Sequence, residues 1–345
     1  MSSSSSRLEH TLARNWMRRG LLAWCLLPLA ALFGVLTGLR RLLYRMGWLK
    51  TTRLPVPVIV VGNLFVGGTG KTPMVVFLVE ALRAAGFQPG VISRGYGSKE
   101  SAPQAVTHDS SPEHVGDEPL LIAQRTGCPV MVGRNRVATG EALLAQYPQV
   151  DVILSDDGLQ HYALGRDMEI VLFDARGGGN GWLLPAGPLR EPLSRPRDFT
   201  VINGGKAAGI KGETIAMHLK GEMAYSLQVP SRTCALADFA KDDNPALKLV
   251  AAAGIGNPAR FFGMLEHAGL RVETLPLPDH YDYADNPFAA VQADIILITE
   301  KDAVKCRHLE ALKNDQRLWV VPVTAQVDAA LPDRIVEKLR GYPTA

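Results

Sequence analysis

Residues 58–73 read VIVVGNLFVGGTGKTP. The run over 57–61 is β-branched and uncharged, as in a strand buried on both faces, and it stops at Gly62. The segment 72–85, TPMVVFLVEALRAA, reads as a helix with Pro73 in its first turn and Gly86 as its stop. Between them lies a glycine-rich loop. A loop of this kind, ending at a helix N-terminus, can hold an anionic phosphate on backbone N–H groups. Lys71 would reach the β- and γ-phosphates, and the Thr72 hydroxyl would ligate Mg²⁺. The strict G-x-x-x-x-G-K-[ST] spacing asks for glycine at position 65, where this chain has Phe65. The bland alternative is a glycine-rich turn that merely precedes a helix. G-K-T at a strand–helix junction favours phosphate, so Phe65, Val66, Gly67, Gly68, Thr69, Gly70, Lys71 and Thr72 are the expected nucleotide-binding residues.

Downstream, apolar runs at 90–93, 130–132, 152–155, 170–173 and 199–203 read as strands. Helical patterns begin near 119 and span 137–146. Such alternation predicts an α/β fold, a P-loop NTPase-like mainly parallel sheet flanked by helices. The strand at 152–155 ends in Asp156 and Asp157, the way such folds present carboxylates to Mg²⁺, although two Asp before Gly158 could equally cap a turn. Residues 175–198 form a long loop rich in Gly, Pro and Arg. The pattern weakens over 205–245 and resumes with a strand at 249–253, a helix at 259–268 and strands at 295–298 and 318–322. The expected division is therefore 1–50 as an N-terminal membrane anchor, 51–225 as the core, and 226–345 as a second, smaller α/β domain.

The chain has 345 residues, 47% hydrophobic and 21% charged, which excludes a largely disordered or collagen-like protein. Nine Lys and Arg lie within residues 1–53 against Glu9 alone, leaving a mildly acidic body. That body argues against general nucleic-acid binding, and the basic end points to a membrane surface. Residues 20–39 carry no charge, just enough to cross a hydrocarbon layer of about 30 Å. Arg18, Arg19, Arg40 and Arg41 bracket the run, and Trp16, Trp24, Tyr44 and Trp48 suit an interface. The run is too long for a signal peptide and unusually free of charge for a soluble core, so a spanning or deeply embedded helix is expected. Four dispersed cysteines, Cys25, Cys128, Cys234 and Cys306, suggest buried thiols rather than a disulfide framework or a zinc site.

Several stretches together resemble one family: VGNLFVGGTGKTP (61–73), SRGYG (93–97), GDEP (116–119), GRNR (133–136), SDDGLQH (155–161), LPAGPLREP (184–192), DHY (279–281) and TEKDAVK (299–305). They are similar to tetraacyldisaccharide 4′-kinases, membrane-associated lipid A kinases of Gram-negative bacteria. SDDGLQH and LPAGPLREP are the most specific of these stretches. The family's loop takes the longer G-N-x-x-V-G-G form, so Phe65 fits it. The resemblance implies transfer of the γ-phosphate of ATP, with Mg²⁺, to the 4′-hydroxyl of a tetraacylated disaccharide 1-phosphate. It implies an enzyme on the cytoplasmic face of the inner membrane, partnered by the lipid A precursor and the bilayer, with no nucleic acid and no obligate protein partner.

By the same resemblance Asp117 takes the hydroxyl proton, paired with His280, and Lys71 serves ATP. Asp156, Asp157 and Glu191 join Thr72 around Mg²⁺. Asn63, Arg94, Arg136, Gln160, His161 and Arg190 are implied to meet substrate. A second reading of Asp117 as a helix N-cap stays open, as does a plain turn for His280. Arg134, Arg136, Arg190, Arg195 and Arg197 suit the substrate's 1-phosphate or a solvated surface. Glu300-Lys301-Asp302 reads as structural. The competing functions are a membrane-anchored nucleotide switch or chaperone, and a kinase of another glycolipid.

Overall fold

Val58–Asn63 forms β1, fully buried at the middle of a nine-stranded sheet, as its β-branched sequence dictates. The computed structural model describes residues 15–95, 102–240 and 247–341. Tyr96 and Gly97 of the SRGYG stretch, and the basic residues before Asn15, lie outside them. The other strands of this first sheet are β2 (Pro89–Ser93), β3 (Gln104–Val106), β4 (Val130–Val132), β5 (Val152–Asp156), β6 (Met168–Asp174), β7 (Phe199–Asn203) and β8 (Ile215–Lys220). Strands β1, β2 and β4 to β8 run parallel, in the order β8-β7-β6-β1-β5-β2-β4, with β3 antiparallel at one edge. Parallel pairing of Val61 with Asp156 brings the carboxylates at the end of β5 beside the loop that leaves β1.

A second, six-stranded sheet contains β9 (Met223–Ser226), β10 (Thr233–Ala235), β11 (Leu249–Ala253), β12 (Glu273–Pro276), β13 (Ile295–Thr299) and β14 (Leu318–Val321). The chain then returns. β15 (Thr324–Val327) pairs antiparallel with β8 at the other edge of the first sheet, Thr324 opposite Lys220. The first unit thus includes residues 324–340, and the second spans roughly 223–321, a different division from the one at 225/226. The sequence conceals this return because β15, the edge strand, and β8 beside it show alternating burial rather than continuous apolar runs.

The helices that bear on the site are α1 (Leu21–Arg45), α2 (Lys71–Ala84), α3 (Asp117–Thr126), α4 (Arg136–Gln146), α5 (Pro258–His267), α6 (Glu300–Cys306) and α7 (Ala330–Arg340). α2 buries Met74, Val75, Leu78, Val79 and Leu82 against the first sheet, in one core with Leu331, Ile335 and Leu339 of α7. α1 is 25 residues long with Pro28 inside it and a most apolar stretch of mean hydropathy 2.1, long and apolar enough to cross a membrane. Leu29, Leu32, Val35, Leu36 and Leu39 stay exposed along one side. The other side docks on the body: Trp24 packs edge-on against Trp182, Arg41 reaches Glu191, and Tyr44 lies by Tyr162. Cys128 and Cys306 are buried as expected, whereas Cys25 of α1 is exposed.

Candidate active site

The loop between β1 and α2 keeps its shape through two glycines in the left-handed region, Gly67 at φ 105° and Gly70 at φ 96°. A Cβ on Gly70 would lie 2.2 Å from the Asn203 amide nitrogen, so only glycine fits there. Asn63 Nδ2 donates to the carbonyls of Phe65 at 2.6 Å and Gly67 at 2.8 Å, and Asn203 Nδ2 donates to that of Thr69 at 2.9 Å. Asn63 therefore holds the loop from behind instead of facing a substrate. Its Oδ1 accepts from Lys71 Nζ at 3.2 Å, and Lys71 also lies 3.9 Å from Asp157 Oδ1. Thr72, in the first turn of α2, lines the same cleft. Asn203 was not legible in the sequence, where 199–203 reads only as a strand.

That cleft, a cavity of about 860 Å³ between the two units, brings together most of the expected site. Asp156 is buried; Ser93 Oγ donates to its Oδ2 at 3.2 Å, and its Oδ1 has no hydrogen-bond partner among the described residues. Burial, with Glu118 and Asp157 nearby, pushes this carboxyl up to about 7 despite Lys71 and Arg136. A buried carboxylate oxygen without a donor, in one cleft with the Thr72 hydroxyl of a phosphate loop, is a donor set suited to Mg²⁺. Asp157 adopts φ 49°, unusual for a non-glycine residue, and Arg190 Nη1 donates to both its oxygens at 3.0 and 3.1 Å. Burial raises Asp157, but Lys71 and Arg190 outweigh that and hold it ionised.

Arg190 is delivered by the strap 184–192, which runs beside the phosphate loop: Arg190 N–H donates to Leu64 O, and Val66 N–H to Pro188 O. Arg94, Gln160 and His161 also line the cleft. Burial and the nearby Arg136, Arg94 and Arg166 lower His161 to about 4, so its imidazole is neutral at pH 7. Arg136 lies behind them, 2% exposed, donating to Gly133 O at 2.6 Å and Asp156 O at 3.3 Å. Its burial makes it a support for the Asp156 turn rather than a surface for the lipid. Arg195 and Arg197 are also absorbed by the protein, on Glu169 and Thr200.

Glu191 departs from the metal role that the resemblance implies. It is 2% exposed, and both oxygens are taken by protein donors. Gln160 Nε2 donates to Oε1 at 3.0 Å, while Tyr162 OH at 2.5 Å, Arg41 Nη1 at 3.4 Å and Arg195 Nε at 3.4 Å converge on Oε2. A carboxylate so occupied ties α1 and the 155–162 turn to the strap, with Oε2 saturated by three donors and Oε1 held by Gln160.

Across the cleft, Asp117 opens α3 next to Gly116, whose φ of 88° makes the tight entry. Gly116 is the N-cap; Asp117 is the first helical residue, where a carboxylate favours the helix dipole. Asp117 Oδ1 accepts from Glu118 N–H at 3.0 Å, and Oδ2 meets His280 Nδ1 at 3.1 Å, Lys305 Nζ at 3.2 Å and Lys301 Nζ at 3.8 Å. Burial alone would push Asp117 up, but the His280 hydrogen bond, Lys301 and Lys305 hold its carboxyl well below the usual range. Lys301 Nζ also lies 3.4 Å from His280 Nε2. A donor there leaves the ring proton on Nδ1, pointing at Asp117. His280 itself sits in the left-handed region at φ 58°.

The Glu300–Asp302 stretch divides. Glu300 pairs with Arg125 of α3 at 2.8 and 2.9 Å, and Asp302, fully buried, accepts from Gly254 N–H and Thr299 Oγ1. Lys301 and Lys305 do more than structural duty, since they reach Asp117. Their spacing of four on one short helix is the signal that could have found them.

A family model described as tetraacyldisaccharide-1-P 4′-kinase matches residues 22–340. The chain is 64% identical over 347 residues to a tetraacyldisaccharide 4′-kinase from Janthinobacterium sp. (strain Marseille), covering 100% of both. It is 62% identical over 349 residues to one from Herminiimonas arsenicoxydans, covering 99% of this chain and 98% of that one. A crystal structure of LpxK from Aquifex aeolicus in complex with ATP superposes with a TM-score of 0.72 at 30% identity, over 92% of this chain and 100% of that one. Sequence, fold and cleft agree, and the chain belongs to the tetraacyldisaccharide-1-P 4′-kinase family.

Proposed function

We propose that this protein transfers the γ-phosphate of ATP to the 4′-hydroxyl of a tetraacyldisaccharide 1-phosphate, a step of lipid A biosynthesis. The observation that carries the reading is the opposition, within one cleft, of a phosphate loop from one unit and a carboxylate–imidazole pair bridging both units. Phosphoryl transfer needs cations on the phosphates and a base on the nucleophile, held in line. Lys71 leaves Asn63 to meet the β- and γ-phosphates. Thr72 and Asp156 would hold Mg²⁺, which neutralises charge developing on the phosphate oxygens. Asp157 keeps Arg190 facing the transferred group, and Arg94, Gln160 and His161 line the acceptor side.

Asp117 takes the 4′-hydroxyl proton, with His280 donating Nδ1–H to its Oδ2 and sharing the charge. Held below its ordinary pKa near 3.9 by His280, Lys301 and Lys305, this carboxylate is a weak base, so an imidazole that hydrogen-bonds it and orients it toward the hydroxyl suits the task. His280 and Lys301 come from the second unit, so the base is complete only where the units meet, and meeting also excludes water. In the proposed arrangement the 1–50 segment anchors, the first sheet binds ATP and the second sheet closes over it.

A four-chain lipid leaves a bilayer at a cost of about 0.8 kcal/mol per CH₂, which favours an enzyme that works at the surface. We place α1 in one leaflet on the cytoplasmic face of the inner membrane, its exposed leucines in lipid. Support comes from its docked side: Arg19 donates to Asn180 O near one end and Arg41 meets Glu191 near the other. A helix crossing the bilayer would carry these polar partners into hydrocarbon. Asp117→Asn and His280→Ala test the chemistry. The first is expected to lower the transfer rate roughly 10²–10⁴-fold with ATP affinity kept, the loss of a general base. Full transfer by either variant would reject the paired base.

A further inference from the structure

Phe65 stands where the strict phosphate-loop pattern has glycine, and its ring has a partner. The Arg176 guanidinium lies over it, 4.4 Å from the centroid. Arg176 Nη2 donates to Gly68 O at 2.9 Å. From the other side Asp174, buried at the end of β6, fixes the same guanidinium: Nε lies 3.0 Å from both carboxylate oxygens, and Nη2 2.7 Å from Oδ2. The Arg176 charge is thus balanced locally, and Arg176 does not line the cleft where the phosphates would lie. Its effect on the loop is geometric.

With Asn63 on the carbonyls of Phe65 and Gly67 and Asn203 on that of Thr69, Arg176 completes a set. The carbonyls at 65, 67, 68 and 69 all accept from side chains outside the loop. Carbonyls held outward leave the N–H groups free to converge on an anion, whereas one peptide flip would aim a carbonyl dipole at the phosphate. The second unit also comes close to Gly68: a Cβ built on Gly256 would lie 2.9 Å from Gly68 N.

We propose that Arg176 is a positioning residue for the phosphate loop, clamping the Gly68 peptide through its carbonyl and the Phe65 ring so that the loop is preset for the nucleotide phosphates. The proposal rests on the nucleotide reading above. Its test is calorimetric ATP binding to the full-length, detergent-solubilised protein, beside KM for the tetraacyl disaccharide 1-phosphate and the thermal midpoint. Arg176→Met is expected to weaken ATP binding about ten-fold, the loss of one hydrogen bond from a charged donor, and Arg176→Lys to recover part of it. The lipid KM should stay within about two-fold, because the loop meets only the nucleotide. Phe65→Leu should weaken ATP binding by less, and Phe65→Leu with Arg176→Met should be no worse than Arg176→Met alone, since both act through one contact. Wild-type-like ATP binding by Arg176→Met, or additive losses in the double variant, would overturn the clamp. If Arg176→Met does not fold, Phe65→Leu decides: unchanged ATP binding in a folded Phe65→Leu protein rejects the clamp. Wild-type protein that binds no ATP would instead reject the nucleotide reading.

Discussion

Replacing Glu191 by Gln separates a metal ligand from a structural hub. In the structure every partner of this carboxylate is a donor: Gln160, Tyr162, Arg41 and Arg195. Glutamine keeps the shape and one acceptor oxygen. Its new NH₂ can face Gln160, whose own amide can turn to offer oxygen, so the steric cost is small. What is lost is charge. Arg195 keeps Glu169, but Arg41 and Arg195 lose the anionic partner of their ion pairs, and the Tyr162 bond falls from charge-assisted to neutral strength. Such bonds contribute roughly 1.5–3 kcal/mol each when an ion is involved and about 1 otherwise, and Arg41 and Arg195 sit at long distances, so the sum is about 2 kcal/mol. At about 2.1 cal/mol/K per residue, a chain of this size shifts by roughly 1–2 °C per kcal/mol, so the thermal midpoint should fall about 3 °C. The assay pairs that midpoint with the Mg²⁺ concentration giving half-maximal phosphate transfer, which should stay within about two-fold of wild type. An unchanged midpoint with a Mg²⁺ requirement raised ten-fold or more would refute the hub and restore Glu191 as a ligand.

Lys305→Met removes the cation nearest the Asp117 carboxylate. Asp117 is held below its ordinary pKa, so its ionised form contributes stability fully above about pH 4 and loses it as pH falls further. Without Lys305 that pKa rises, and the acid limb of the transfer rate should move to higher pH; a limb that stays in place contradicts the role given to Lys305. Arg125→Met leaves buried Glu300 without its bidentate partner, and burial already pushes that carboxyl up. With Arg125 partly exposed, the expected loss is about 2 kcal/mol, read as a lower thermal midpoint together with a lower kcat, because α3 carries Asp117 and α6 carries the Lys301 and Lys305 that meet it. If both stay at wild-type values, the pair does not hold the units together.

The phosphate loop was legible because its information is local: a β-branched run, glycines at left-handed positions, and G-K-T opening a helix. Asp156 and Asp157 were legible for the same reason, at the end of a buried run. Contacts distant in sequence had no such signal. His280 meets Asp117 across 163 residues, and only the family resemblance joined them. Lys301 and Lys305 reach the same carboxylate; their spacing of four puts them on one helix face, but only the fold shows that this face meets Asp117. Arg195 and Glu191 lie in one Arg-rich loop, where placement suggests phosphate for the arginine and the family resemblance implies a metal for the glutamate; the fold buries them against each other and against Glu169, Tyr162 and Arg41. The return of β15 and α7 to the first sheet was hidden too, because edge strands lack the continuous apolar pattern by which the central strands were read.

The most direct test of the account is transfer itself. Detergent-solubilised protein is mixed with γ-labelled ATP, Mg²⁺ and tetraacyldisaccharide 1-phosphate, and the lipid is separated from water-soluble phosphate. The account predicts label in the lipid, abolished by Lys71→Ala. Label released only as free phosphate would contradict it and make the cleft that of a nucleotide switch.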